Sequence, residues 1–600
     1  MQALILAAGT GSRLGKHTKE NTKCMLEIND KTLIQHTIEK LSNAGITKLI
    51  MVVGYKKDNL IKHLGGRYKN IEIEYVENPV YNSTNNIYSL YLAKEKLAED
   101  DTILIESDLI FEENILTDLI KDERKSLAVV DKYKSWMDGT SCTLDDNDQI
   151  LNFFSKKTFK FENVNNYYKT VNTYKFSKEF SNNIYIPFLE AYSKALGDNE
   201  YYESVLRVLT ILNRHELRAL RLDGEKWYEI DDVQDKHNAE VIFAESPKEK
   251  LNLIQKRFGG YWRFPELKDF CYLVNPYFPP IKMQEEMKAF YYDLLSQYPS
   301  GLDTQNILAG KMFGIEMENI LVGNGASEII RAIGSVYKGT FGMMLPTFNE
   351  YPESLGYERV VMKTSQKDGF VYSIQDLKEL SDKSDNLILI NPDNPSGHFN
   401  NKDSIIELLD YMKDTGKHLI VDESFVDFAE DGDFQSIIEQ DLIDTYQNLT
   451  IIKSISKSYG IPGIRLGVVA SSNINIINKF KRELTIWNIN SFGEYFLQII
   501  GKYGADYQKA CELIRFERDR FFDSLSTIPF LKVYKSEANY FLCKVVQKYS
   551  STQLAQLLIE DDFYIKDLTG KKGFESGEYI RIAVRDKDDN GALITKLKEL

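Results

Sequence analysis

The chain is poor in cysteine and histidine, with five and seven in 600 residues. Cys24, Cys142, Cys271, Cys511 and Cys543 are odd in number, scattered and never spaced as CxxC. That excludes a disulfide framework or a thiolate zinc site and fits a reducing cytoplasm. The histidines form no HxH or HExxH pair, so a metal is expected on carboxylates. Basic charge is in deficit: 74 Lys+Arg against 89 Asp+Glu leave −15. Such a surface repels phosphate backbones and excludes broad nucleic-acid binding, so small anionic ligands need local basic pockets. Long hydrophobic runs are missing as well. The first apolar stretch, residues 4–8, breaks at Gly9 and has no basic leader, so it is expected to be neither a signal peptide nor a membrane span. What remains is a globular composition, and its length predicts two or three domains.

From residue 3 to about 245, short apolar runs (4–6, 49–53, 103–105, 127–130) alternate with helical-period segments. In one of these, 32–44, Leu33, Ile34, Thr37, Ile38 and Leu41 share a face. This is α/β patterning. Residues 246–270 lose the alternation and read as a linker between a first domain, 1–245, and a second, 271–600. In the second, buried-strand runs recur at 387–390, 419–421 and 451–452. No internal repeat is evident.

In the first domain a strand enters Ala7-Ala8-Gly9-Thr10-Gly11-Ser12-Arg13, whose glycines let backbone N–H groups approach an anion while Arg13 supplies charge. Lys23 follows, Asp108 comes just after a strand, and Glu229 and Asp231 lie late. Basic groups for a triphosphate and carboxylates for Mg²⁺ are the requirements of nucleotidyl transfer. The segments LAAGTGSRLG, TKCMLEI, NNIYSL, ESDLIF and WYEIDDVQD together resemble the phosphocholine-type cytidylyltransferases. That resemblance implies that Ala8, Gly9, Gly11, Arg13 and Lys23 grip the triphosphate of CTP, with Lys23 catalytic, and that Asn85, Asn86 and Ser89 lie near the nucleoside. It makes Asp108, Glu229 and Asp231 the Mg²⁺ ligands. For an amine-bearing acceptor, Trp136, Asp138, Tyr174 and Tyr228 are the candidates, because aromatic faces and a carboxylate attract cations.

In the second domain NPDNPSG (391–397), VDESF (421–425), SISK (454–457) and GIRLG (463–467) each follow an apolar strand. Their order resembles the fold-type I aminotransferases of class I/II, especially the histidinol-phosphate aminotransferase group. The resemblance implies pyridoxal 5′-phosphate held by Lys457 as a Schiff base, Asp422 at the ring nitrogen, Asn394 at the ring hydroxyl and Phe348 stacked on the ring. Ser327, Ser454, Ser456 and Arg465 would hold the cofactor phosphate. Tyr298 would reach a second subunit's cofactor, implying a homodimer, and Arg581 would clamp a substrate carboxylate. Phe425 stands where many relatives carry tyrosine, and Arg585 adds a second arginine suited to a phosphonate or phosphate.

The whole chain resembles the bifunctional 2-aminoethylphosphonate cytidylyltransferase/aminotransferase fusions. The expected architecture is a Rossmann-like nucleotidyltransferase domain followed by a fold-type I domain. An amino-acid donor would aminate phosphonoacetaldehyde, and CTP would activate the product. The rival readings are a phosphocholine or phosphoethanolamine cytidylyltransferase whose second half acts on something else, a threonine-phosphate decarboxylase-like second half, and an aminotransferase with a nucleotide-sensing module.

Overall fold

The computed structural model describes residues 1–214 and 216–600 and divides the chain into two compact units, Met1–Arg263 and Phe264–Leu600. Among the described residues no helix is long and apolar enough to cross a membrane.

The first unit is built on a ten-stranded sheet. Its parallel centre is Thr102–Glu106, Gln2–Ala7, Lys48–Val53 and Ile71–Glu77. Gln2–Ala7 is buried throughout. Ala3, Ile5 and Ala7 join one apolar cluster, while Leu4 and Leu6 join the other. A strand covered on both faces reads as a continuous apolar run, which is why this one was visible. The amphipathic segment is the helix Leu33–Asn43, closed by a capping box between Thr32 and Gln35. Tyr168–Phe176 runs antiparallel to Thr102–Glu106. Its register against Leu127–Lys132 shifts between Thr170 and Tyr174, where Asn172 has φ 52°. This bulge matters for the site.

The segment read as a linker is largely structured. Ser246 caps the helix Pro247–Arg257, which buries Leu251 and Ile254, and the helix belongs to the first unit. Only two of its apolar side chains are buried, so its sequence shows little periodicity.

The second unit carries a seven-stranded sheet in the order Ile320–Asn324, Leu466–Ala470, Leu449–Ser454, His418–Asp422, Asn386–Ile390, Phe341–Leu345 and Val360–Thr364. Leu466–Ala470 runs antiparallel to both neighbours, and the pairings from Leu449–Ser454 to Val360–Thr364 are parallel. The loops at the carboxyl ends of the parallel strands carry the chemistry, as open α/β sheets require. A four-stranded sheet, Leu531–Val533, Tyr540–Val545, Glu578–Ala583 and Lys566–Asp567, follows.

Candidate active sites

In the first unit the strand Trp227–Glu229 pairs with Leu109–Phe111, bringing Glu229 opposite Leu109, one residue past Asp108. Asp108, Glu229 and Asp231 each hold a carboxylate oxygen within 4.8 Å of the others. Lys23 Nζ donates to Asp108 Oδ2 at 2.6 Å and to Asp231 Oδ1 at 2.9 Å. Arg13 Nη2 reaches the same Asp231 oxygen at 2.8 Å. Burial pulls the Lys23 ammonium down, but Asp108 and Asp231 outweigh it and hold its pKa above the ordinary lysine value. Asp108 Oδ1 is buried without a hydrogen-bond partner. An orphaned carboxylate oxygen inside a three-carboxylate cluster suits a hard cation such as Mg²⁺.

Two supporting residues gave no sequence signal. Lys169, almost wholly buried, lies 3.3 Å from Glu229 and donates to Thr170 O. Asn172, on the bulge, donates to the other Glu229 oxygen at 3.2 Å. A buried, unpaired Glu229 would cost several kcal/mol, roughly, so these donors fix its position.

Asn85, Asn86 and Ser89 take structural positions. Asn85 caps the helix Asn86–Leu92, Asn86 donates to Glu106, and Ser89 is buried against Asn78. Of the acceptor candidates, Trp136 and Tyr228 stack at 4.2 Å. Asp138 instead faces outward and pairs with Lys156. Tyr174 is fully buried in the core, its ring 5.7 Å from Tyr202, so it does not line an open pocket. Strand alternation aims it inward.

In the second unit, Asp422 ends its strand, and both its oxygens are occupied: Tyr351 Oη donates to Oδ2 at 2.8 Å and Ser424 N to Oδ1 at 3.0 Å. Tyr351, another residue the sequence did not single out, thereby orients the carboxylate. Lys457 Nζ lies 5.9 Å from the Phe348 ring centroid and 5.3 Å from that of Phe425. Burial, then Arg581, pushes its pKa down to about 8. Asn394 Oδ1 accepts from Arg581 Nη1 at 2.7 Å, so the predicted ring-hydroxyl and carboxylate contacts are adjacent.

The strand Ile320–Asn324 turns at Gly325 (φ 73°) into the helix Ala326–Val336. A Cβ on Gly325 would meet Arg465 Nη2 at 2.7 Å, and one on Gly467 would meet Ala326 N at 2.4 Å. Arg465 itself holds φ 64° while donating to Ser327 at 3.0 Å. This glycine-lined cradle at a helix N-terminus, with a guanidinium beside it, fits the phosphate of pyridoxal phosphate. Ser454 N donates to Ser424 Oγ. Ser456 is turned away: its hydroxyl bonds both backbone groups of Leu466 and braces the antiparallel strand. Arg585 pairs with Asp589 at 2.7 Å and donates to Asp269 O, so its role is structural. Tyr298 is 78% exposed and stacks on Trp487.

Comparison with known proteins agrees with this geometry. The nucleotidyl transfer model, described as nucleotidyl transferase, matches residues 2–139, and that described as aminotransferase class I and II matches 294–597. The chain is 28% identical, over all of its own length and 95% of the relative's, to CMP-5′-(3-aminopropyl)phosphonate synthase of Streptomyces rubellomurinus. Over 56% of this chain and 90% of the relative, it is 32% identical to L-serine phosphate decarboxylase of Sulfurospirillum multivorans. Histidinol-phosphate aminotransferase of Clostridium acetobutylicum superposes with a TM-score of 0.51 at 27% identity, covering 56% of this chain and 98% of that one. The two domains imply Mg²⁺ and pyridoxal phosphate as cofactors. The chain is an enzyme that belongs to the aminotransferase class I and II family through its second unit and carries a nucleotidyl transferase domain in its first.

Proposed function

We propose that the chain makes and then activates a small primary amine bearing a phosphate or phosphonate group. The observation that carries the reading is the joining, in one chain, of the Lys23 carboxylate cluster with the Lys457–Asp422–Asn394 site. In the first unit an oxygen of the acceptor's phosphonate or phosphate attacks the α-phosphorus of CTP. A P–O bond forms, the bond to pyrophosphate breaks, and Arg13 and Lys23 neutralise the triphosphate. Asp108, Glu229 and Asp231 would hold Mg²⁺, which would supply charge stabilisation there. Trp136, half-exposed and backed by the buried Tyr228 ring, offers an aromatic face to the acceptor's ammonium.

In the second unit the first reading is transfer of an amino group from an amino-acid donor to phosphonoacetaldehyde, giving 2-aminoethylphosphonate. Pyridoxal phosphate supplies the electron sink for such chemistry. Lys457 moves the proton at the substrate carbon, Asp422 orients the ring, and Arg581 binds the donor's carboxylate. The relative named for a CMP-aminopropylphosphonate product supports an amine joined to CMP.

A second reading is favoured by Phe425, which leaves no hydroxyl where many aminotransferases carry one, and by the 32% identity to an L-serine phosphate decarboxylase. In that case the bond from the α-carbon to the carboxylate breaks, CO₂ leaves, and a proton takes its place. Either route yields an amine that the first unit can activate.

The test is pyrophosphate release by the full chain with Mg²⁺ and CTP or UTP, against 2-aminoethylphosphonate, phosphoethanolamine and phosphocholine, compared as kcat/KM. Preference for CTP with a primary-amine acceptor is expected. Preference for phosphocholine would break the link between the two units.

The second unit also supports a homodimer. Tyr291, Tyr292, Leu295, Tyr298, Ile486 and Trp487 are exposed, an apolar surface a second copy would cover. A mass in solution of about twice 69.3 kDa is expected by light scattering, and a mass of 69.3 kDa at micromolar concentration would refute it.

A further inference from the structure

Three cations, Lys566, Lys571 and Arg581, converge beside Asn394, and no carboxylate lies within ion-pair distance of any of them among the described residues. Lys566 lies directly opposite Arg581 in the antiparallel pair formed by Lys566–Asp567 and Glu578–Ala583. Opposed residues put their side chains on the same face, and like charges so placed repel. Lys571 enters from the loop that follows. A Cβ on Gly573 would meet Pro346 N at 2.9 Å, so this loop lies against the segment leading to Phe348. Lys571 Nζ then donates to Asn349 Oδ1, next to that ring. Burial, and after it Arg581 with Lys566 adding to the effect, pushes the Lys571 pKa down to about 8, although Asp393 and Glu353 oppose this. Among the described residues none of the three cations forms an ion pair with a carboxylate. Arg581 donates to Asn394 and to Cys271 O, and its Nε is buried without a partner.

Arg581 alone would suffice for a carboxylate. Two further lysines, held where they repel it, call for a second and more highly charged anion. We propose that Lys566 and Lys571 bind the phosphate or phosphonate dianion of the second unit's substrate, leaving Arg581 to the carboxylate where the substrate has one. This rests on the reading that the substrate carries such a group. It gives this unit a way to reject ordinary amino acids, because without the dianion the repulsion among the cations is unrelieved. Arg585 is tied to Asp589, whereas Lys571 is held only by the neutral Asn349 side chain and Lys566 by no carboxylate, so these lysines are available to a phosphate.

The experiment titrates the visible absorbance of the full-length, pyridoxal-phosphate-loaded protein with O-phosphoserine, 2-aminoethylphosphonate and serine. Lys566→Gln and Lys571→Gln are each expected to weaken both phosphorus-bearing ligands by about tenfold, as expected for loss of a charged hydrogen bond, with serine unaffected. Lys→Arg at either position should restore most of the affinity. Variants that retain the parental preference for the phosphorus-bearing ligands over serine would overturn the proposal while leaving the substrate reading intact. Equal weakening of all three ligands would also overturn it, marking the lysines as structural. A parent protein that binds serine as tightly as O-phosphoserine and 2-aminoethylphosphonate would overturn the substrate reading itself.

Discussion

Lys457→Ala is expected to abolish the visible absorbance of bound pyridoxal phosphate and to slow the second unit's reaction by about 10²- to 10⁴-fold, the range for loss of a positioned proton carrier. CTP-dependent pyrophosphate release should not change. The effect is large because Lys457, half-buried beside the Phe348 and Phe425 rings, has its pKa pushed down to about 8. A lysine near 8 has a usable neutral fraction at physiological pH, whereas one near 10.5 has almost none. The sign follows: cofactor capture should rise with pH and level off above about 8, instead of climbing toward 10.5. Retained absorbance in Lys457→Ala would assign the cofactor to another lysine.

The second large effect belongs to Lys23. Lys23→Ala should lower kcat/KM for cytidylyl transfer by about 10²- to 10³-fold, the usual loss on removing one preorganised electrostatic donor, with amine chemistry in the second unit unchanged. In the unliganded protein Lys23 bridges Asp108 and Asp231. Its removal leaves those carboxylates facing each other, so Mg²⁺ should raise the Tm of the variant more than that of the parent. Parental turnover of CTP by Lys23→Ala would remove Lys23 from the site and favour a nucleotide-sensing role for this unit.

The legible parts of this chain were those where one local pattern answers to one physical demand. Strands buried on both faces show as apolar runs, and the helix Leu33–Asn43 shows as a 3.6-residue stripe. The glycines around Arg13 and Arg465 mark places where backbone must come close to something. The carboxylates Asp108, Glu229 and Asp231 were found as a set, and they do converge.

Residues whose value lies only in long-range pairing were illegible. Lys169 and Asn172 sit in a strand whose alternation a bulge interrupts, so nothing nearby announces that they face Glu229. Tyr351 supports Asp422 from 71 positions away. Chemical type misled in the other direction. Tyr174 has a side chain suited to an ammonium, but it is sealed in the core. Ser456 has the right hydroxyl, engaged by Leu466.

The carboxylate cluster joins Lys23 to Asp231 across 208 positions of sequence. A ribosome that has released only the first 200 residues has exposed Lys23 and Asp108 but neither Glu229 nor Asp231. The nascent first unit therefore has most of its sheet before it has the second and third carboxylates of the cluster. The cluster is completed late, near the end of the unit's synthesis, so a cation held by all three carboxylates would report that the unit has closed rather than help to begin it.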